Sequence, residues 1–176
     1  MARSLTWAFA FLTAACAGPG SKTPLRSVSR VELPRYMGSW RIIACMDNAL
    51  ERDFVDAVET YSPRPDGRIG VHFSWKKQSF TAPEKTHAFT GRVVDPPVNA
   101  HWKMKLFPLF SASYVVIALH PQYEWAAVAH PSRKFGWVLA RGRTLPDSTF
   151  REIMGAFAQQ GYDTDRFIKV PQVADR

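Results

Sequence analysis

Cysteine is scarce. The 176-residue chain has two, Cys16 and Cys45, so no disulfide framework organises it, and a domain of this length buries a core without one. Acidic residues are the minority, 15 against 23 Lys and Arg, leaving a formal charge of +8. The basic residues are scattered, Lys76–Lys77 and Arg141–Arg143 being the densest groups, and the lack of runs or stripes argues against a nucleic-acid partner. The five histidines, His72, His87, His101, His120 and His130, show no metal-ligand spacing, so no zinc, haem or other cofactor is implied. No internal repeat is found, and no helical period precedes residue 146.

What is present begins with a leader. "MARSLTWAFAFLTAAC" has Arg3, an apolar stretch from Leu5 to Leu12, and small residues before Cys16. Residues 1–15 read as a secretory signal, too short to span a bilayer as a helix. The ending "TAAC" matches a bacterial lipobox with Thr13 at the position usually held by a branched apolar residue, making Cys16 the candidate lipidation site. Plain secretory cleavage nearby is the alternative. With Cys16 lipidated, Cys45 has no disulfide partner. Residues 16–30, rich in Gly, Pro, Ser and basic residues, read as a lipidated flexible tether, and residues 31–173 as the folded domain.

Eight alternating runs follow, at 39–46, 56–62, 68–76, 85–93, 100–107, 112–119, 124–129 and 135–141, separated by turn-like segments such as "SPRPDGR" and "VDPPVN". Their spacing suits an all-β barrel or sandwich. In "PDSTFREIMGAFAQQG" the pattern changes: Phe150, Ile153, Met154 and Phe157 take helical spacing, with Asp147 as a cap and Gly161 as a stop. "RFIKVPQ" can add a short last strand. The simplest closure is an eight-stranded antiparallel up-and-down β-barrel with one C-terminal α-helix packed outside.

"VELPRYMGSWRIIA" carries Gly38-Ser39-Trp40 where the first strand begins, and "WVLARGR" supplies Arg141 at the end of the last. With "ETYSPRPDG", "WKMKLF" and "SYVVIALHPQYEWAAVAHP" between them, the chain resembles the lipocalins, in particular the bacterial outer-membrane lipoprotein lipocalins, from about Val31 to Gln172. The resemblance implies a calyx whose closed base is plugged by Gly38, Trp40 and Arg141, the guanidinium stacking on the indole for about 0.5–2 kcal/mol. The Asp-Tyr pair usual after strand six is "LHPQY" here, without the Asp.

In "AHWKMKLF", Trp102, Met104 and Leu106 alternate with lysines, and the family register turns the apolar row inward. Parity then gives the other inward rows: Val71, Phe73 and Trp75; Tyr114, Val116 and Ala118; Trp125, Ala127 and Ala129; Phe135, Trp137 and Leu139. Period two identifies an inward face but not whether side chains or a ligand fill it; the resemblance favours a cavity. The expected ligand wall is Val71, Phe73, Trp75, Trp102, Met104, Leu106, Tyr114, Val116, Trp125, Phe135 and Trp137. The same strand directions gather Lys76, Lys77, Lys85, His130, Arg133 and Lys134 at the mouth, where they suit an anionic head group above an acyl tail. Residues 47–55, with Leu50 and Phe54, could fold over as a lid.

The implied ligand is a fatty acid or lysophospholipid, held by a protein anchored at the outer membrane, with Ala17 rather than Asp after the cysteine suiting that destination. The implied role is lipid storage, transport or repair in the envelope. Two rivals stand beside it: an interaction module with a filled barrel that docks or dimerises through its surface, and a Cys45-dependent enzyme. Parity from Trp40 puts Ala44 inward and Cys45 outward, and no activating group is close in sequence, so no catalytic residue is assigned. His72 and His87 also fall on the outward parity.

Overall fold

Alternating side chains need two different environments, and each alternating run becomes a strand in the computed structural model, which describes residues 23–173. The signal segment 1–15, Cys16 and residues 17–22 lie outside the described residues. The strands are β1 (Gly38–Met46), β2 (Phe54–Pro63), β3 (Ile69–Lys77), β4 (Lys85–Val93), β5 (His101–Phe107), β6 (Phe110–Leu119), β7 (Trp125–Ala129) and β8 (Gly136–Ala140). Each pairs antiparallel with its sequence neighbours, and β1 pairs with both β2 and β8. The sheet therefore closes as an up-and-down barrel. A ninth strand, β9 (Phe167–Lys169), joins β1 at Ala44–Met46.

A helical turn that the periodicity does not announce, α1 (Leu33–Tyr36), precedes β1. Four residues are too few to carry a period. The second helix, α2 (Asp147–Gln159), lies outside the barrel with Ile153 and Phe157 fully buried, each worth about 1.5–3 kcal/mol of burial. Asp147 does not cap it: Pro146 holds the cap position with no side-chain bond, and Asp147 opens the first turn, where a negative charge still favours the helix dipole. Gly161, at φ +78°, ends the helix in the left-handed conformation glycine tolerates.

Strand irregularities overturn part of the expected parity. A register shift between Ile42 and Ala44 leaves Trp40, Ile42 and Cys45 inside and Ala44 and Met46 outside, the reverse of the expectation for Ala44 and Cys45. A bulge adds one residue and flips every side chain beyond it. A second shift, between Val116 and Ala118, keeps Tyr114 and Val116 inside but sends Ala118 to the outer layer. On β7 the expected face is inverted: Ala126 and Val128 face the interior, while Trp125, Ala127 and Ala129 pack in the layer beneath α2. The helix buries the outer face of β7, so all five residues are buried and no alternation betrays which is which.

Residues 23–30, expected within a flexible tether, are laid against the barrel. Val28 donates to the Val116 carbonyl at 2.9 Å, and Arg26 and Gln160 exchange hydrogen bonds of 3.0 and 2.9 Å. Leu25 and Val28 each pack on a hydrophobic cluster.

Candidate functional site

The closed end is built around one guanidinium. Arg141 lies 3.8 Å from the Trp40 ring centroid and donates to the carbonyls of Ser39, Arg35 and Met37 at 2.8–2.9 Å. Gly38, at φ +92°, leaves room for it: a Cβ there would sit 3.3 Å from an Arg141 nitrogen. Trp40 donates to the Tyr36 carbonyl at 2.7 Å, tying α1 across the base. The corner lacking the Asp is closed by Tyr123, whose hydroxyl accepts from the Glu32 backbone at 2.8 Å and whose ring carries Arg35 at 4.2 Å.

Above this plug lies a cavity of about 470 Å³, within the range of ordinary small-molecule pockets. Of the expected wall, Phe73, Trp75, Met104, Leu106, Tyr114 and Trp137 line it, joined by Phe54 and Phe89. Trp102 does not. It is fully buried in the plug, stacked on Tyr114 at 5.0 Å and donating to the Asn99 carbonyl at 2.7 Å. Val71 and Val116 point inward but are packed in the buried core, away from the cavity surface. Trp125 belongs to the outer layer, as described, and Phe135 precedes β8, half-buried above Trp137 and off the wall.

His87 was expected outside, yet it lines the cavity with Nε2 2.9 Å from the Leu106 carbonyl. β3 and β4 pair Phe73 with His87 and Trp75 with Lys85, and cross-strand partners share a face. His72, paired with Ala88, is exposed.

Two carboxylates, unforeseen in the sequence, also line the cavity. Glu59 sits between Trp40 on β1 and Phe73 on β3, and Tyr61 donates its hydroxyl to it. Tyr61 and Tyr114 hydroxyls are 2.9 Å apart, and those of Tyr114 and Tyr36 2.8 Å. With Tyr61 donating to Glu59, each hydroxyl donates to the next, from Tyr36 through Tyr114 and Tyr61 to the carboxylate. Burial pushes the Glu59 carboxyl up to about 7, against the Tyr61 hydrogen bond, which favours the charge. A shift in β2 between Val55 and Val58, at Asp56 with φ +52°, resets the parity that turns Ala57, Glu59 and Tyr61 inward; counting from Phe54 without it mislays them. Glu51, from the β1–β2 loop, accepts from the Trp137 indole at 3.1 Å and from Asn48 at 2.7 Å. Burial raises its pKa as well.

The mouth holds fewer cations than expected. Lys77 and Lys85 line it. Lys76, one residue out of phase, turns outward to the Phe80 carbonyl at 2.9 Å and to Asp56 at 4.0 Å. Arg133 is drawn to the end of α2, donating to the carbonyls of Gln160 at 3.0 Å and Thr23. His130 bonds Ser132 at 2.8 Å, and Lys134 stays exposed in the β7–β8 turn, off the cavity wall. In the β1–β2 loop, Leu50 reaches the cavity edge while 72% exposed, and Phe54 forms wall rather than lid.

Cys45 is buried, and that burial, followed by Glu51 and Asp47, pushes its thiol up to about 12. Such a group is protonated at neutral pH and a poor nucleophile. Among the described residues, no group of three or more His, Cys, Asp or Glu could hold a metal ion, and no helix is long and apolar enough to cross a membrane.

Comparison with known proteins agrees with this architecture. The family described as "Lipocalin-like domain" matches residues 31–172. The chain is 32% identical over 166 residues to "Outer membrane lipoprotein Blc" of Escherichia coli K12, covering 93% of this chain and 92% of that one. It is 29% identical to "Temperature-induced lipocalin-1" of Arabidopsis thaliana, covering 86% and 84%. Among solved structures, insecticyanin from Manduca sexta superposes with a TM-score of 0.65 at 17% identity, covering 89% and 88%. The amine binding protein of Rhodnius prolixus, solved as its tryptamine complex, gives 0.63 at 13%, covering 85% and 86%.

Proposed function

We propose that this chain, which belongs to the lipocalin family, takes the acyl tail of a fatty acid or lysophospholipid into its calyx while anchored at the outer membrane. Lipocalins are small-ligand binding proteins, and the finer assignment comes from the site. One observation carries it: an aromatic and aliphatic cavity of about 470 Å³ with Lys77 and Lys85 at its mouth. Apolar burial is worth roughly 25 cal/mol per Å², so a tail needs no specific polar partner. The lysines suit an anionic head left at the rim. Glu59 on the inner wall disfavours the opposite orientation, with the anion inside. The anchor reading rests on the lipobox at Cys16 and on relatives named outer membrane lipoproteins, and a role in storing, carrying or repairing envelope lipid follows from ligand and place together.

A filled barrel is at odds with the open cavity, and a Cys45 enzyme with the buried thiol. The test is native mass spectrometry of the chain from residue 16, with Cys16→Ser, purified without detergent, followed by solvent extraction. A stoichiometric fatty acid or lysophospholipid, carried over or taken up on addition, is the expected result. A protein that stays empty after lysolipid is added overturns the proposal.

A further inference from the structure

Five of the six large apolar side chains exposed among the described residues stand at one end of the barrel. Leu50 is in the β1–β2 loop, Phe80 in the β3–β4 loop, and Phe107, Leu109 and Phe110 form the β5–β6 hairpin. Leu109 is fully exposed and Phe107 and Phe110 more than half so. These are the open-end turns; only Val94 lies at the other end. Water-facing apolar tips clustered on one side mark a surface that meets something apolar. Exposed Lys77, Lys85, Lys105 and Lys134 stand around the same turns, a rim suited to anionic head groups.

The chain's own connection to the membrane points the same way. The fourth open-end turn, between β7 and β8, holds Arg133, which grips the Thr23 carbonyl and the end of α2. The N-terminal segment therefore leaves the barrel beside the mouth. Six residues lie between Cys16 and Thr23, and the seven steps they span make a leash of at most about 25 Å fully extended. Tilted strands of nine or ten residues make a barrel wall of roughly that height, so placing the closed end on the membrane would use the whole leash.

We infer that the open end of the calyx docks on the bilayer surface, its apolar turns dipping into the interface, so that lipid passes between membrane and cavity without crossing water. The inference rests on the proposed lipidation of Cys16 for the leash and on the exposed turns independently of it. A tip of a few apolar residues gives weak, reversible partition, which suits a carrier that must open again.

The test uses the chain from residue 16 with Cys16→Ser, so that no lipid anchor contributes. An environment-sensitive fluorophore is placed on Leu109→Cys or, at the opposite end, on Gly67→Cys, and vesicles of phosphatidylethanolamine with one-quarter phosphatidylglycerol are added. The label at 109 is expected to shift to the blue and become shielded from an aqueous quencher, and the label at 67 to remain unchanged. The triple variant F80S/L109S/F110S, none of whose positions lines the cavity, should lose at least fivefold in vesicle partition and keep its affinity for monomeric lysophospholipid. Shielding at 67, no response at either label, or shielding at 109 without vesicles, as a mouth-to-mouth pair of copies would give, each overturns the inference. Loss of lysophospholipid binding in the unlabelled protein would instead strike the ligand assignment and leave the docking result standing.

Discussion

Tyr61 donates its hydroxyl to Glu59 on the wall of the cavity, so a titratable carboxyl group faces a largely aromatic and aliphatic space. Its raised pKa, about 7, makes the protein's behaviour depend on pH in the physiological range.

Stability should fall as pH rises from about 4.5 to about 7 and level off above. Across that window the native carboxyl holds its proton while the unfolded one releases it, so raising the pH draws the equilibrium toward the unfolded state. A shift from the ordinary 4.5 to about 7 corresponds to something on the order of 3 kcal/mol. Urea denaturation at several pH values should show this slope, and Glu59→Gln should flatten most of it. The raised Glu51 carboxyl supplies a smaller slope of the same sign.

Ligand binding should take up protons. A tail that fills the cavity removes water from Glu59 and raises its pKa further, so affinity should increase as the pH falls through 7. Calorimetry in two buffers of different ionisation enthalpy would detect the uptake near pH 7. Glu59→Gln should abolish most of it while binding as tightly at pH 8 as the parent does at pH 6.

Arg141→Lys should destabilise the fold by about 2–3 kcal/mol, because an ammonium cannot reach the three carbonyls that the guanidinium serves, nor cover the Trp40 ring in the same way. The expected readout is a lower urea midpoint. Neither Arg141 nor Trp40 lines the cavity, so affinity measured on the folded variant should change less than twofold.

Trp137→Phe removes the indole N–H that holds Glu51 over the mouth. Stopped-flow displacement of a fluorescent fatty acid should show a several-fold faster release, since one hydrogen bond is worth about 0.5–1.5 kcal/mol. Equal release rates would mean the β1–β2 loop does not control exit.

The eight strands, the outer helix and the Trp40–Arg141 plug were legible because alternation, helical spacing and the family motif each span many residues. Side-chain direction was legible only up to the first bulge. Past Ile42 on β1, Val55 on β2 and Val116 on β6, one extra residue exchanges inside for outside, and nothing in the sequence marks it. That is why Cys45 and Ala118 fall on the faces opposite to those that parity gives, whereas Glu59 stands on the one strand, β2, whose run at 56–62 carries no apolar row from which to count. Trp125 failed for a different reason: beneath a helix both faces of a strand are apolar. Lys76 lies one step of register from Lys77, which alone of the pair lines the mouth, and Arg133 is drawn away by carbonyls of the α2 end and the N-terminal segment, partners that no local pattern announces.

The wall of the cup has a seam. Toward the base β1 is bonded to β2, Gly38 opposite Tyr61 and Arg41 opposite Val58; toward the mouth β9 takes that edge of β1 instead. Val170 donates to Ile43 at 2.9 Å, Asp56 to Pro171 at 2.7 Å, and Gln172 to Ile42 at 2.8 Å, so the tail of the chain is stitched between two strands that are neighbours below. The upper wall is thereby completed, between β1 and β2, by residues more than 100 positions further along the chain. Changes in that segment therefore bear on how β1 and β2 part toward the mouth, while the plug beneath, which it does not touch, keeps its own bonds.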